Sequence, residues 1–498
     1  MHGQHEGHDH AHVATADPSH PGAAGSGRWK ALALLCLAQF MVVLDVTVVN
    51  VALPSIGADL GLGRAGLTWV IAGYTLAFGG LMVLGGRTAD RVGRRRTFVA
   101  GLVVFTAASL VAGLAWSPAA LVGARVAQGV GAALLSPSAL SIITTTFHGR
   151  DRHRALGVWA AIGGTGAAVG VLVGGLLTDG PGWRWAFFVN VPVGLFVLVA
   201  LLAAVSVDAG PRSAGRLDVP GALTATAAIG LLVYGLVRAG DGSWAAPGVV
   251  VPLVAAAVLA VAFVLIERSV REPLIPAGLV VRSAVPGAVV VMLAATALLI
   301  AGFFVTTFLL QGALHASPVR TGLAFLPVAA GTVVGAHLAS RGVTAVGPQT
   351  TGFTGFAVAA LGFWWLAQVG VDSEILTGIV PGFVLAAVGL GATFVSATTS
   401  AMATVDPQHA GVASGMVNTG HEIGASLGVA LVSAVVGSGL GTMDGAGGDG
   451  PSGLADVVES FARGYGAAAW FAGVAALAVV VLLPRGRLPV SDGPAFAH

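Results

Sequence analysis

Long apolar segments separated by short polar stretches make up most of the chain. A window of about 19 residues detects segments of this kind, and each is long enough to form a helix that crosses a bilayer. Fourteen segments are found, near residues 31–52, 67–86, 98–115, 119–146, 155–177, 185–206, 219–237, 249–266, 284–312, 322–340, 350–370, 375–402, 412–436 and 464–483. The pattern predicts an all-α integral membrane protein with fourteen transmembrane helices.

The composition agrees with this pattern and excludes several classes of protein. Hydrophobic residues make up 56% of the chain and charged residues only 9%, whereas about a quarter of a soluble protein is charged. The net charge of +2 is small and its basic residues are dispersed, so we expect no nucleic-acid partner. No phosphate-binding loop of the form GxxxxGK[ST] occurs, so we expect no nucleotide. Cys36 is the single cysteine, and no cofactor or metal site is expected.

The basic residues also predict an orientation. Most of the 24 Lys and Arg residues fall in the tails and in the loops on the side of the termini. By the positive-inside rule, both termini are cytoplasmic. The preference for Arg over Lys, together with much Ala, Gly and Val, is typical of a bacterial gene, so the predicted location is the bacterial cell membrane. The His-rich residues 1–30 are expected to form a disordered cytoplasmic tail, and loose metal binding by His2, His5, His8, His10, His12 and His20 is the less favoured interpretation.

A weak internal repeat divides the chain. Gly85, Ala89 and Arg91 recur as Gly335, Ala339 and Arg341, an offset of 250, and Gly166 and Gly170 recur as Gly424 and Gly428, an offset of 258. Repeated halves are typical of secondary transporters. The predicted organisation is an N-terminal six-helix half, 31–206, two inserted helices with their loops, 207–283, a C-terminal six-helix half, 284–483, with an outer loop at 437–463, and a cytoplasmic tail, 484–498.

Charged and polar side chains inside the apolar segments are the candidates for function. Asp45 lies near the middle of the first segment, where an ionised carboxylate costs roughly 3 kcal/mol. Arg125 and Gln128 share a face of the fourth segment, and a fixed cation there would offset the burial of Asp45. The alternative for Arg125 is an arginine that only reaches the outer interface; for Glu422, the acid of the thirteenth segment, it is a carboxyl kept neutral by hydrogen bonds within the bundle.

The thirteenth segment carries a second polar stripe. Asn418, Glu422 and Ser426 recur every four residues, with His421 beside them. Glu422 aligns with a glycine in the first half, so the acid is not a product of the repeat. Intramembrane acids usually mark ion pathways, and we therefore predict that Asp45, Arg125 and Glu422 couple transport to protons. Asn50, Gln128, Asn418 and His421 are predicted to line the substrate cavity.

Two further motifs are structural or conformational in character. The stretch GGRTADRVGRRRTF, 85–98, follows the second segment, and Gly86, Asp90, Arg91, Gly93 and Arg94 are predicted to form a cytoplasmic gate; the alternative is a topology anchor alone. Gly166, Gly170 and Gly174 recur every four residues in the fifth segment, which predicts close packing against another helix.

Several of these stretches resemble motifs of the major facilitator superfamily, in particular its fourteen-span drug/proton antiporter branch. The similar stretches are LDVTVVNVALP at 44–54, GGRTADRVGRRR at 85–96, RVAQGVGAA at 125–133 and WRWAFFVNVPVG at 183–194. The resemblance implies a substrate-exporting antiporter, with Asp45 and Arg125 in proton coupling and Asp90 and Arg94 in the cytoplasmic gate. One departure is Val171, which follows Gly170 where the branch usually has proline.

The expected function is therefore proton-coupled export of hydrophobic, cationic drugs or natural products by alternating access, with small-molecule substrate, protons and membrane lipid as partners. The alternative is a proton-coupled or passive transporter of a small polar metabolite, and Val171 keeps it open. An enzyme is not expected, because the sequence contains no cluster of nucleophile, base or metal ligands.

Overall fold

The structure is a computed structural model, and it describes residues 21–147, 149–204, 218–239, 244–270, 273, 279, 283–405, 410–441 and 451–486. Helices account for nearly all of these residues. Their bounds are α1 Pro21–Leu60, α2 Arg64–Val92, α3 Arg94–Gly113, α4 Pro118–Thr146, α5 Gly149–Asp179, α6 Trp185–Phe188, α7 Asn190–Ala204, α8 Val219–Ala239, α9 Pro247–Ser269, α10 Val285–Phe308, α11 Pro318–Val346, α12 Pro348–Leu366, α13 Val380–Ala403, α14 Ala410–Gly441 and α15 Pro451–Leu482. Wide π-helical turns, Leu309–Ala313 and Ile375–Ile379, continue α10 and precede α13.

The prediction of a multi-pass helical membrane protein is confirmed. Within the described residues, twelve helices are long and apolar enough to cross a membrane. The predicted segments 155–177 and 350–370 coincide with α5 and α12, which are helical but do not belong to those twelve. The number fourteen for the membrane-crossing helices therefore stays a prediction.

Several predicted boundaries are wrong because helices extend beyond their apolar cores. α1 begins at Pro21, inside the predicted tail 1–30, and residues 1–20, with their histidines, lie outside the described residues. The predicted outer loop 437–463 is mostly helical, since α14 continues to Gly441 and α15 begins at Pro451. Hydropathy detects the part of a helix that lipid or protein covers, whereas backbone hydrogen bonds continue into its polar flanks.

The internal repeat has a counterpart in helix packing. A Cβ at Gly166 would lie 2.9 Å from Cγ1 of Val43 on α1, and one at Gly424 would lie against the carbonyl oxygen of Leu293 on α10. The next glycines repeat the arrangement, because Gly170 lies over Thr47 and Gly428 over Ala297. The pairs α1–α5 and α10–α14 thus pack in equivalent registers, as two copies of one unit would.

The turns that follow the second helix of each unit use the same backbone device. Gly93 separates α2 from α3 with φ 115°, and Gly347 separates α11 from α12 with φ 89°. Residues with a Cβ rarely adopt this backbone conformation. Both turns can therefore reverse the chain within one residue because they have glycine.

We call α1–α7 the N-terminal half and α10–α15 the C-terminal half, and the two helices between them, the inserted pair α8 and α9, lie where these groups meet. α8 packs where α2 meets α14, with Val233, Leu236 and Val237 against Ala72 of α2 and Ala430 of α14. We call this junction the α2–α14 seam. α9 packs against α8 and leaves many large apolar side chains exposed, among them Val251, Val258 and Leu265, as expected for a helix that faces lipid.

Direct contacts join the two halves at the end of the bundle away from the termini. Gln311 donates to the carbonyl oxygen of Val51 at 2.9 Å. α5 and α11 also approach closely there, because a Cβ at Gly175 would lie 2.7 Å from the carbonyl oxygen of Pro318. We call this end the distal end.

Candidate functional site

A fully buried ion pair lies inside the N-terminal half. The Asp45 side chain on α1 has no exposed surface, and its Oδ2 accepts a hydrogen bond from Nη1 of Arg125 on α4, which is 1% exposed. Oδ1 accepts from Nε2 of Gln128 at 2.9 Å and from Nδ2 of Asn190 at 2.8 Å. All three partners are N–H donors, so the arrangement matches a carboxylate that carries no proton.

The guanidinium of Arg125 is held by groups from three helices. Its Nε donates to the carbonyl oxygen of Val70 at 2.9 Å, and its Nη1 donates to Oε1 of Gln128 at 3.0 Å. Its Cζ lies 4.3 Å from the ring centroid of Tyr74, a distance suited to cation–π attraction. Burial of two charges is tolerated only when such additional partners complete the pair, and here both charges have them.

The glycines of α5 bring that helix close to the part of α1 that carries Asp45. Gly166 lies over Val43, Gly170 over Thr47, and a Cβ at Gly174 would lie 2.9 Å from Cα of Val48. These residues flank Asp45 on both sides. Close backbone packing of α5 therefore fixes the position of the carboxylate-bearing turn.

Replacing Gly174 by alanine tests this packing. The new methyl group would meet the backbone of Val48, so α1 and α5 must separate, and overpacking of this kind costs typically 1–3 kcal/mol. We expect a lower melting temperature in detergent and reduced transport. Gly157→Ala on the same helix is the matched control, because nothing lies within 4 Å of its Cβ position. Equal melting temperatures for the two variants would contradict the assigned packing role.

A second polar group lies on α14 in the C-terminal half. The Glu422 side chain is 13% exposed, and its Oε1 lies 3.1 Å from Nδ1 of His421, which is 42% exposed. The ring of Phe394 on α13 lies 5.9 Å from that of His421. Asn418, one turn earlier, is exposed. The predicted stripe is therefore accessible at Asn418 and His421 and partly at Glu422, whereas Ser426 is fully buried.

α2 separates the two acids and contacts the surroundings of both. Tyr74 faces Arg125, whereas the adjacent Thr75 shares a hydrogen bond of 2.6 Å with Ser426 of α14. Gly79 lies against Glu422, since a Cβ there would lie 2.6 Å from the glutamate Cβ. Any movement of α2 relative to α14 would thus change the environment of Glu422 directly.

The predicted gate residues surround the turn between α2 and α3. Asp90 and Arg94 approach to 3.5 Å, with half of the Asp90 side chain exposed. Arg91 is exposed, Gly93 forms the turn, and Gly86 lies near Pro137 of α4. An exposed pair at this distance contributes at most about 1 kcal/mol to stability, so the pair of Asp90 and Arg94 is not essential for the fold on energetic grounds.

Two of the four predicted cavity residues are buried in this conformation. Gln128 lies against the Asp45 pair with no exposed surface, and Asn50 is 3% exposed and donates to the carbonyl oxygen of Val46. Asn418 and His421 are the two that are accessible. Among the residues that the structure describes, no group of three or more His, Cys, Asp or Glu side chains is arranged to hold a metal ion.

Three residues that were not predicted as site residues complete the buried cluster: Asn190, Ser109 and Tyr74. Ser109 accepts from Gln128 at 2.8 Å, and Tyr74 is fully buried against Arg125. A signal for Asn190 was available, because it is a lone amide in an apolar segment, as Asp45 is a lone acid. Ser109 and Tyr74 carried no such signal, since single hydroxyl groups are common in membrane helices.

Comparisons with known proteins agree with this architecture. The family model of the Major Facilitator Superfamily matches residues 35–429. The chain is 42% identical to the puromycin resistance protein pur8 of Streptomyces alboniger, over 82% of each protein. It is also 42% identical to the cephamycin export protein CmcT of Amycolatopsis lactamdurans, over 82% of this chain and 85% of that protein. Identity to the tetracenomycin C resistance and export protein of Streptomyces glaucescens is 34%, over 86% and 80%.

Solved structures share the fold at low sequence identity. A bacterial homologue of the human lysosomal transporter Spinster, in an inward-facing and unoccupied conformation, is 20% identical with a TM-score of 0.61, over 92% of this chain and 97% of that one. An auto-inhibited peptide transporter of the POT family is 17% identical with a TM-score of 0.65, over 93% and 99%. At these identities the likeness concerns the fold alone.

Proposed function

The chain belongs to the Major Facilitator Superfamily, and from this premise we propose that it exports hydrophobic, cationic drugs or natural products in exchange for protons. Membership of this family and the exporters among its relatives make it a transporter rather than an enzyme. The observation that carries the proposal of proton coupling is the pair of intramembrane acids, one sealed against Arg125 and one accessible. Acids in membrane helices usually serve ion or proton pathways.

The two acids have different roles in the proposed cycle. Glu422 is partly accessible in this conformation, so in the proposed cycle it exchanges protons and attracts the positive charge of the substrate. Asp45 is sealed by three N–H donors, so it takes up a proton only after the bundle has rearranged. Protonation of Asp45 would remove the negative charge that holds Arg125. Because Arg125 lies on α4, proton binding at Asp45 is thereby coupled to the position of α4.

Alternating access supplies the movement. The two halves rock about the region between them, as repeated halves do in secondary transporters. In this structure, direct contacts join the two halves at the distal end. These contacts must break when that end opens. One proton entering down a potential of 100 mV supplies about 2.3 kcal/mol, and a tenfold gradient costs about 1.4 kcal/mol. A monovalent cation that leaves against the same potential costs as much as one entering proton supplies, so its export needs a second proton or a pH gradient as well.

The orientation is part of the proposal. With both termini cytoplasmic in a bacterial cell membrane, the distal end faces the exterior and the Asp90–Arg94 pair faces the cytoplasm. Gly86, Asp90, Arg91, Gly93 and Arg94 then form a gate that stabilises one orientation of the halves. The exposure of Asp90 and Arg91 supports a role in conformational change more than one in folding.

If these residues form a gate, a substitution among them should slow transport without lowering stability. Asp90→Asn removes an exposed pair at 3.5 Å, so we expect an unchanged melting temperature and export slowed severalfold. Asp151→Asn is the control, because Asp151 pairs with Arg28 at 2.7 Å near the same end of the bundle and is partly exposed. Rates measured in inverted vesicles check the expectation, and equal export by the two variants would contradict it.

The second candidate, a proton-coupled or passive transporter of a small polar metabolite, is favoured by one observation. α5 runs without interruption through Val171, whose side chain is buried, in the position where the antiporter branch usually has proline. An uninterrupted helix there lacks the bend that proline would impose.

A substrate screen decides between the two candidates. The protein is expressed in a bacterium that lacks its own drug pumps, and drug accumulation is measured with and without a protonophore. We expect lower accumulation of hydrophobic cations and loss of that effect with the protonophore. No change for any drug, combined with altered uptake of a polar metabolite, would favour the second candidate.

A further inference from the structure

Arg64 is a buried arginine at the distal end of the bundle. It is the first residue of α2 and only 7% of its surface is exposed. Its Nη1 donates to the carbonyl oxygen of Ser433 on α14 at 2.8 Å, and its Nη2 donates to the carbonyl oxygen of Val237 on α8 at 3.2 Å. One side chain thus joins the N-terminal half, the C-terminal half and the inserted pair.

The two carbonyl oxygens that accept from Arg64 are suited to a positively charged donor. Val237 lies in the last turn of α8, which ends at Ala239, where carbonyl groups lack helical partners and carry the negative end of the helix dipole. Buried hydrogen bonds to a charged donor are stronger than neutral ones. Thr68, one turn further along α2, adds a bond of 3.0 Å to the Ser433 hydroxyl.

A second arginine at this end is arranged differently. Arg184 pairs with Asp59 at 2.7 Å, and both residues belong to the N-terminal half and are more than one third exposed. Opening of the α2–α14 seam would leave that pair intact. The same opening would break the bond from Arg64 to Ser433 and uncover the guanidinium.

We infer that Arg64 is a positioning residue that latches the distal end closed, by joining α2 to α14 and to the inserted helix α8. This inference rests on the proposed alternating access. Because Arg64 also binds α8, the inserted pair covers the α2–α14 seam at the distal end, where Arg64 holds the seam closed. The inserted pair therefore limits how far α2 and α14 separate.

The experiment measures opening of the seam by thiol reactivity. Ser433→Cys is introduced in a Cys36→Ala background, which leaves one thiol in the seam and preserves the carbonyl group that Arg64 binds. The purified protein in detergent is treated with a charged methanethiosulfonate reagent, without substrate or proton gradient. We expect Arg64→Met to react at least tenfold faster than its parent, which corresponds to a shift of about 1.4 kcal/mol.

Three controls make the result specific. Arg184→Met removes an arginine from the same end and should stay within twofold of the parent. Arg64→Met with the native Cys36 and Ser433 should also label slowly, because Cys36 is buried in α1 and reacts only when the protein unfolds. Arg64→Lys should react at least threefold faster than the parent, since one ammonium group does not span two carbonyl groups of different helices as the guanidinium does.

The proposed latch is overturned if Arg64→Met is labelled at a rate within twofold of the parent. It is also overturned if the labelling rate rises equally in Arg184→Met or in the control that keeps the native Cys36. If Arg64→Met cannot be purified in folded form, the labelling rate of Arg64→Lys is used instead, and a rate within twofold of the parent overturns the latch. A parent protein that exports no drug would defeat the proposed function and leave the labelling result standing, because labelling needs neither substrate nor gradient.

Discussion

Replacing Asp45 by asparagine is expected to abolish proton-driven export and to lower stability at the same time. The carboxylate is the ionic partner of Arg125, and neither side chain is solvated. The substitution leaves a buried guanidinium uncompensated, which costs about 3–5 kcal/mol when a buried pair is broken. Export is measured in proteoliposomes as substrate flux driven by an imposed pH gradient, and stability as the melting temperature in detergent.

The loss of export and the loss of stability can be separated with a second substitution. In Asp45→Asn with Arg125→Gln, no uncompensated charge is left, so the melting temperature should recover by more than half. Export should remain absent, because the proton-binding group is still missing. Asp59→Asn on the same helix is the matched control, since Asp59 forms an exposed pair and should affect neither quantity strongly. Normal export by folded Asp45→Asn protein would refute the role of Asp45.

Replacing Glu422 by glutamine is expected to reduce export at least tenfold without destabilising the protein. Glu422 is partly accessible and its described partner is His421 at 3.1 Å, with which a glutamine amide can also form a hydrogen bond. The substitution removes the negative charge and the titratable proton but keeps size and shape. The measurements are export rate and the number of protons exchanged per substrate, read with a pH-sensitive dye.

A control variant and a comparison of substrates test the role of Glu422 more closely. Glu459→Gln removes an exposed acid from α15 and should leave export unchanged. Cationic substrates should be affected more than neutral ones of similar size, because the charge of Glu422 attracts a cation only when it is unprotonated. Export of cations by Glu422→Gln at the parental rate, with the same number of protons, would contradict the assignment.

The kind of protein was predictable from the sequence because the constraint of the bilayer acts on each segment separately. A helix in lipid satisfies its own backbone hydrogen bonds and covers them with apolar side chains, so each span can be recognised without reference to the others. The same reasoning identifies Asp45, Arg125 and Glu422, since a charge in such a segment is costly wherever the segment lies. The equivalent packing of Gly166 and Gly424 agrees with the repeat found in the sequence.

The environment of each charge depends on helices that are far apart in the chain. Asp45 and Glu422 look alike as sequence features, yet one is sealed by donors from α4 and α7 and the other is accessible beside His421. Arg64 has no distinguishing feature in the sequence, and only the fold places it between α14 and α8. Hydropathy is a property of one segment, and it carries no information about which neighbour covers which face.

The sequence by itself therefore determined the membrane class, the approximate positions of the helices and the identity of the charged residues, because these follow from the transfer of single segments into lipid. Only the tertiary structure decided which charges are paired, which are accessible and which join the two halves. Those properties arise from side-chain donors and acceptors brought together across the bundle, where distances of about 3 Å determine whether a hydrogen bond exists.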